Sequence, residues 1–205
     1  MTASESSRKF GILMIAASAS VVFFMAHHPT SPHQTSGIPG MVHGAMQMVL
    51  LALAIGFCHF AQRRHLTRLL VLSGLVCYLL SVVCNFGAAT INGFVVPALA
   101  ASDAEIQHAV FLLAWESNQA LAELAVMLTG MAYLAWSIDL IRDPVPVNRL
   151  IGATGFLAGL LPAAALLLGP FSMDVHTALW IYSAHALWAA VVGVWLVRVR
   201  QPESA

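Results

Sequence analysis

The chain alternates between long apolar runs and short polar segments. Six apolar runs each approach the roughly 20 residues that a helix needs to cross a bilayer. They cover approximately residues 10–26, 41–61, 69–89, 108–137, 150–168 and 175–197. This pattern predicts an all-α polytopic membrane protein, in which residues 1–205 form one integral membrane domain built as a bundle of six transmembrane helices.

The composition agrees with a membrane protein. Hydrophobic residues make up 60% of the chain and charged residues only 9%, whereas an ordinary soluble domain carries about 25% charged residues. The expected surroundings are a lipid bilayer, and no basic run of the kind that follows nucleic acid is present. Cys58, Cys77 and Cys84 all lie in apolar runs. They are therefore interpreted as small buried side chains and not as a disulfide framework.

The basic residues are distributed on one side of the predicted membrane. If the N-terminus is cytoplasmic, every Lys and Arg falls in an inner segment: Arg8, Lys9, Arg63, Arg64, Arg68, Arg142, Arg149, Arg198 and Arg200. The predicted outer segments instead contain Asp103, Glu105 and Asp174. By the positive-inside rule, both termini are predicted to be cytoplasmic, which is an N-in/C-in topology. Trp136 and Trp195 near the inner boundary, and Trp180 near the outer one, suit an interfacial aromatic belt.

Two predicted spans carry small residues along one face. These are Ser73, Cys77, Ser81, Cys84 and Ala88 on the third span, and Gly152, Gly155 and Gly159 on the fifth. Small residues allow close backbone approach in lipid, so these spans are expected to make the tightest helix contacts. After the third span, Pro97 predicts that a continuous helix does not extend through residues 90–100.

A stripe of polar side chains lies within the fourth span. Glu116, Gln119 and Glu123 fall near one helix face together with His108, whereas Asn118 points away and is expected to mark a second helix contact. Carboxylates at membrane depth are costly and indicate function. The first hypothesis is therefore binding or transport of a small ion, proton or molecule through a polar interior lined by Glu116 and Glu123. Gln119 and His185 would contribute to it, and a hydrogen-bonded interior that specifies helix pairing is the structural alternative.

A second hypothesis places a metal at the outer face. His43, His108 and His176 each begin a span that enters from outside, and Met25, Met41, Met46, Met48 and Met173 lie on the same side. Three imidazoles with an open position suit zinc, and imidazole with thioether suits copper. Asp174 or Glu116 could complete the set. The spacing of paired histidines that would hold a transmembrane haem is absent, so haem is the least favoured cofactor. The alternative to a metal site is that the histidines lie at the membrane interface without binding a ligand and the methionines only fill the core.

No catalytic motif of soluble enzymes is present, so the sequence favours a protein that is not an enzyme without deciding the question. A metal-dependent membrane oxidoreductase and a structural subunit of a larger membrane complex are the other hypotheses. Self-association into a homo-oligomer is also compatible with the glycine face, because such a face can serve a dimer.

Three segments resemble bacterial six-span inner-membrane proteins of unassigned function. They are VHGAM at the start of the second span, INGFVVPALA after the third, and NQALAELAV within the fourth. The resemblance extends over most of the chain from about Met41. It implies a multi-pass protein of the bacterial inner, or cytoplasmic, membrane, and it implies no catalytic residue.

Overall fold

The structure is a computed structural model that describes residues 3–28, 37–101, 107–169 and 172–198. Its elements are α1 (Ala3–Ala26), α2 (Ile38–Arg63), α3 (Leu69–Thr90), a π-helical turn (Ile91–Val95), α4 (Val96–Ala100), α5 (Gln107–Ile141), α6 (Pro146–Leu168) and α7 (Val175–Arg198). The described residues form no strand. Six helices are long and apolar enough to cross a membrane, with Leu69–Ala100 acting as one of them. The prediction of a six-helix, multi-pass fold is confirmed at this level.

Local sequence explains where the helices start. Pro39 lies in the first turn of α2, and Pro146 begins α6. The first turn lacks intrahelical partners for its N–H groups, so proline is tolerated there. Before α2, Gly37 adopts a left-handed backbone with φ of 73°, which glycine reaches without steric cost. Between α2 and α3, His65 has a φ of 67° and reverses the chain within a short turn.

The expected break at Pro97 is not observed, and this prediction is wrong. The helix widens into the π-helical turn Ile91–Val95, and the N–H of Val96 donates to the carbonyl of Ile91. Proline lacks an N–H and clashes with the carbonyl four residues earlier. Here Pro97 lies at the start of α4, immediately after the wider turn. The helical path therefore continues to Ala100.

The six long helices alternate in direction, which gives the bundle two chemically different ends. Arg64 meets Asp139, and Arg149 donates to the carbonyl of Asp143, at what we call the basic end. All described Lys and Arg residues lie at this end, while Arg200 is outside the described residues. The opposite, histidine end contains His28, His43 and Met173. Asp103 and Glu105 are also outside the described residues.

Glycine contacts set the closest helix crossings. A Cβ on Gly130 of α5 would lie 2.8 Å from the carbonyl oxygen of Gly159 on α6, and the reverse substitution would meet Gly130 at the same distance. The glycine face of α6 is therefore used as predicted, within the chain. On α3, Ser81 and Ala88 are buried but Ser73 is exposed. A second close crossing, which the sequence did not predict, brings Gly11 of α1 against Gly193 of α7.

An aromatic cluster fills the bundle between its two ends. The rings of Phe57, Trp136 and Trp188 are nearly parallel, with interplanar angles of 16° to 19°. Trp136 is fully buried and donates through its indole N–H to the carbonyl of Val71 at 3.1 Å. The interfacial position expected for Trp136 is therefore wrong. Its indole instead fastens α5 to α3, because a buried indole N–H needs an acceptor.

A buried ion-pair network closes the basic end. Arg64 donates to Asp139 at 2.6 Å and to Asp143 at 2.7 Å, and Arg68 reaches Asp139 at 3.2 Å. Burial alone would raise the pKa of Asp143. Hydrogen bonds from the Val145 N–H and from Arg64 outweigh it, so the pKa of Asp143 is lowered from its ordinary value. The carboxylate therefore stays charged at neutral pH.

Candidate ligand-binding site

The predicted carboxylate stripe does not face the interior. Glu116 and Glu123 are both exposed on the outside of the bundle, whereas Gln119 is half-buried and His185 is buried. Asn118, which was expected to point elsewhere, is buried and faces a cavity together with Gln119. The placement of the two glutamates in a polar interior is therefore corrected. Residue spacing gives the positions of side chains around α5, but it does not show which face of α5 the neighbouring helices cover.

The three histidines of the predicted metal site do not meet. His43 is buried with 4% of its surface exposed, while His108 and His176 are exposed. Within the part of the chain that the structure describes, no three His, Cys, Asp or Glu side chains are grouped so that they could hold an ion. Met41 and Met48 are also exposed. The other three predicted methionines do converge, on the cavity that follows.

A cavity of about 210 Å³ opens at the histidine end. Residues of α1, α2, α3, α5 and α7 form its walls, and most of the wall is apolar. The polar lining side chains are His28, His43, Asn85, Asn92, Asn118, Gln119, Asp174 and Tyr182, and the thioethers are those of Met25, Met46 and Met173. An apolar cavity with a few convergent polar groups is the usual form of a small-ligand site. We call it the histidine-end cavity.

Two imidazoles meet in the wall of this cavity. The Nε2 atoms of His28 and His43 are 3.0 Å apart, and the two rings are nearly perpendicular at 80°. The other ring nitrogen of His43, Nδ1, lies 2.7 Å from the carbonyl oxygen of Pro39. A carbonyl can only accept, so Nδ1 carries the proton and donates. In the neutral ring, the Nε2 of His43 then presents a lone pair towards His28.

The π-helical turn holds His43 in place. A Cβ on Gly93, within that turn, would lie 2.6 Å from the Cβ of His43 and 3.3 Å from its Nδ1. Only glycine permits this approach without displacing the imidazole. Asn92, which immediately precedes Gly93, lines the histidine-end cavity. π-Helical turns occur frequently at functional sites, and here the turn supplies both a close packing surface and a polar side chain.

One carboxylate lies at the cavity wall. Asp174 immediately precedes α7, and its Oδ1 accepts the N–H of Thr177 at 2.7 Å. This hydrogen bond to the first turn of the helix lowers the pKa of Asp174 from its ordinary value. Asp174 is therefore charged at neutral pH. It gives the wall of the cavity a single negative charge.

A smaller void lies next to the cavity and is lined by His185. Its volume is about 30 Å³, and both spaces share Asn85 and Tyr182 in their walls. The Tyr182 hydroxyl donates to Oδ1 of Asn85 at 2.7 Å. His185 Nε2 is buried and has no hydrogen-bond partner among the described residues. A water molecule needs about 10–15 Å³ of such space, so the void has room for water bonded to His185.

Sequence reasoning missed several of these positions. The sequence predicts no site role for His28 or Tyr182, because neither belongs to a recognisable motif. It does offer a signal for Asp139, because an aspartate at the end of an apolar span indicates that a basic partner is near. Spacing alone could not pair His28 with His43, because the pairing depends on how α1 packs against α2.

Comparison with protein-family models, with curated proteins and with solved structures finds no match to this chain. The site must therefore be interpreted from its own geometry.

Proposed function

We propose that the protein is a multi-pass membrane protein that binds a small molecule or ion in the histidine-end cavity. The observation that supports the proposal is the convergence of imidazoles, carboxamides, thioethers and the Tyr182 hydroxyl, from five helices and the turns beside them, on one space of about 210 Å³. Such residues are costly to bring together in an apolar bundle unless they are satisfied by each other or by a ligand. Glu116 and Glu123 have no part in this proposal, since both are exposed.

Binding fits the interior better than passage through it. Next to the cavity, the walls of the small void include His185 and Tyr133, and Tyr133 packs against Trp188 at an interplanar angle of 48° with ring centroids 4.2 Å apart. Phe57 and Trp136 continue the aromatic packing towards the basic end. These four rings are buried. The aromatic cluster therefore lies between the cavity and the basic end, and we expect a ligand to enter from the histidine end.

The distribution of charge suggests the orientation. All described Lys and Arg residues are at the basic end, and positive residues favour the cytoplasmic side. We therefore place the basic end and both termini in the cytoplasm and the histidine-end cavity on the outer face. The bacterial inner membrane, which the sequence resemblance implies, is the proposed location. The ligand would then reach the protein from outside the cytoplasm.

Cysteine labelling tests both the access and the orientation. Ala122 lines the cavity and Ala132 is fully buried in the aromatic core. Each is changed to cysteine in a background where Cys58, Cys77 and Cys84 are replaced by alanine. A membrane-impermeant thiol reagent applied to the outer side should label Ala122→Cys and leave Ala132→Cys unlabelled. Equal labelling of both variants, or labelling of Ala122→Cys only from the cytoplasmic side, would contradict the proposal.

Occupancy is tested by native mass spectrometry of protein extracted in mild detergent. A bound small molecule or ion is expected on the wild type. It should be lost from Ala122→Phe, where the ring fills the cavity, and kept by Ala153→Phe, which changes an exposed position on α6. A wild-type spectrum without any adduct, or an adduct that survives in Ala122→Phe, would argue against a ligand site here.

A further inference from the structure

We infer that the ligand of the histidine-end cavity is a soft monovalent cation, Cu(I), held by His28, His43 and neighbouring thioether sulfurs. The inference rests on the proposed function, because it assigns a chemical class to the ligand of the same cavity. Its observations are the imidazole pair, with Nε2 atoms 3.0 Å apart, and Met25, Met46 and Met173 in the same wall.

The imidazole pair has nearly the spacing that a shared ion requires. Imidazole nitrogen binds a metal such as zinc at about 2.0 Å, so two nitrogens on one tetrahedral ion lie roughly 3.3 Å apart. The observed Nε2–Nε2 distance of 3.0 Å would have to grow by only about 0.3 Å. Without metal, the Nε2–H of His28 donates to the Nε2 lone pair of His43. When the ion binds, the proton of His28 moves to Nδ1, and both Nε2 lone pairs point to the ion.

The surroundings of His43 prepare it as a ligand. Its Nδ1–H donates to the Pro39 carbonyl at 2.7 Å, and metal-binding histidines almost always donate their second N–H in this way. The hydrogen bond fixes both the tautomer and the orientation of the ring. Gly93 packs against the same side chain, and a Cβ added to this glycine would lie 2.6 Å from the Cβ of His43. His43 therefore keeps the tautomer that a metal ligand needs, with its lone pair on Nε2.

The donor set favours Cu(I) over divalent ions. Neutral imidazole and thioether are the ligands that select reduced copper, whereas zinc and Cu(II) sites add thiolates, carboxylates or further imidazoles. Asp174 is the one carboxylate among the lining residues and is exposed to solvent. The lining residues that the structure describes therefore supply no buried anion for a divalent ion, and a mostly apolar cavity penalises uncompensated charge.

The test is anaerobic competition for Cu(I) against a chromophoric Cu(I) chelator, using the full chain in detergent. Cys58, Cys77 and Cys84 are replaced by alanine, because thiolates also bind Cu(I). The matched pair is His28→Ala and His27→Ala, since His27 is the adjacent residue but does not line the cavity. The change His28→Ala should weaken Cu(I) binding at least about 100-fold. Even the loss of a residue that only hydrogen-bonds to a metal ligand typically lowers metal affinity about 10–100-fold. The change His27→Ala should leave it unchanged.

The sulfur ligands are tested in the same way. Met46→Leu and Met173→Leu keep the side-chain volume and should each weaken Cu(I) binding, whereas Met41→Leu, at an exposed position outside the cavity, should not. X-ray absorption at the copper edge should show both nitrogen and sulfur scatterers in the wild type. Loss of the sulfur contribution is expected in the variant that carries Met25, Met46 and Met173 all changed to leucine.

Two results would overturn the inference. One is a folded wild-type protein that binds no Cu(I), and the other is equal Cu(I) affinity in His28→Ala and His27→Ala. Neither would remove the proposed function, because the cysteine labelling of Ala122→Cys needs no metal. A failed labelling experiment would instead contradict the access and orientation in the proposed function, whatever the copper measurement gives.

Discussion

Arg64 offers the sharpest test of how the bundle is held together. Its guanidinium is only 8% exposed and lies between Asp139 and Asp143, whose side chains are 9% and 15% exposed. Three hydrogen bonds shorter than 3.0 Å join them: Nε and Nη2 to Asp139, and Nη1 to Asp143. The change Arg64→Met keeps the length of the stem and removes the charge. It leaves both carboxylates without the guanidinium between them, while Asp139 keeps its contact with Arg68 at 3.2 Å.

The expected loss of stability follows from these contacts. A hydrogen bond to a charged group contributes about 1.5–3 kcal/mol, so three would sum to roughly 4.5–9 kcal/mol. That sum is too large, because the variant no longer has to bury the charge of Arg64 itself. Removing one partner of a buried ion pair costs about 3–5 kcal/mol in practice. We therefore expect Arg64→Met to lower the free energy of unfolding by about 3–5 kcal/mol.

Tryptophan fluorescence during unfolding in mixed detergent and sodium dodecyl sulfate measures this difference. The matched control is Arg142→Met, because Arg142 is exposed in the neighbouring loop. Surface changes of this kind stay within about 0.5 kcal/mol. The double variant Arg64→Met with Asp139→Asn should recover part of the loss, since it removes the carboxylate that Arg64→Met leaves unpaired.

Equal stability of Arg64→Met and Arg142→Met would refute this reasoning. It would mean that the network is hydrated and contributes little, as exposed ion pairs do. The loss of stability in the double variant is also compared with the sum of the losses in Arg64→Met and Asp139→Asn. If the two values are equal, the two side chains do not interact energetically.

Four further changes probe the fold. Since the pKa of Asp143 is lowered in the folded state, its charge contributes stability above its unfolded pKa of about 3.9. The stability advantage of the wild type over Asp143→Asn should therefore be full at pH 7 and disappear as the pH falls below about 4, in pH-dependent thermal unfolding. The change Gly130→Ala should cost about 1–3 kcal/mol, because its Cβ meets a backbone carbonyl across the crossing. The change Gly44→Ala, whose Cβ would be in ordinary van der Waals contact with Phe94 at 3.9 Å, should stabilise α2 by about 0.5–1 kcal/mol in the same unfolding assay. Tyr182→Phe should cost about 0.6–1.7 kcal/mol by removing the hydrogen bond to Asn85, and an unchanged midpoint would argue against that bond.

The architecture could be predicted because it depends on local properties of the chain. Apolar runs of membrane length form helices wherever they pack, since backbone groups in lipid must be paired within the segment. The gathering of basic residues at one end follows from the same alternation of spans. The prediction failed at Pro97, where a wider helical turn, and not a break, accommodates the proline. Local rules describe the regular helix, and this turn departs from it.

The candidate site could be predicted only in its chemistry. Histidine and methionine on the outer side suggested a soft metal, and His43, Met25, Met46 and Met173 do face one cavity. The predicted partners His108 and His176 are exposed instead, and His28 takes the position beside His43. A residue at the right depth can face any direction around its helix. Depth is visible in the sequence, whereas direction is not.

Single segments of the chain already specify a six-helix, multi-pass protein with a basic end and a histidine end. Those features follow from the length, hydropathy and charge of each segment. Which face of each helix is covered depends instead on how the helices pack together. This packing turned Glu116 and Glu123 outward, brought His28 to His43, and paired Arg64 with Asp139. Helix rotation and pairing are set by close contacts such as that between Gly130 and Gly159, and such contacts depend on two segments at once.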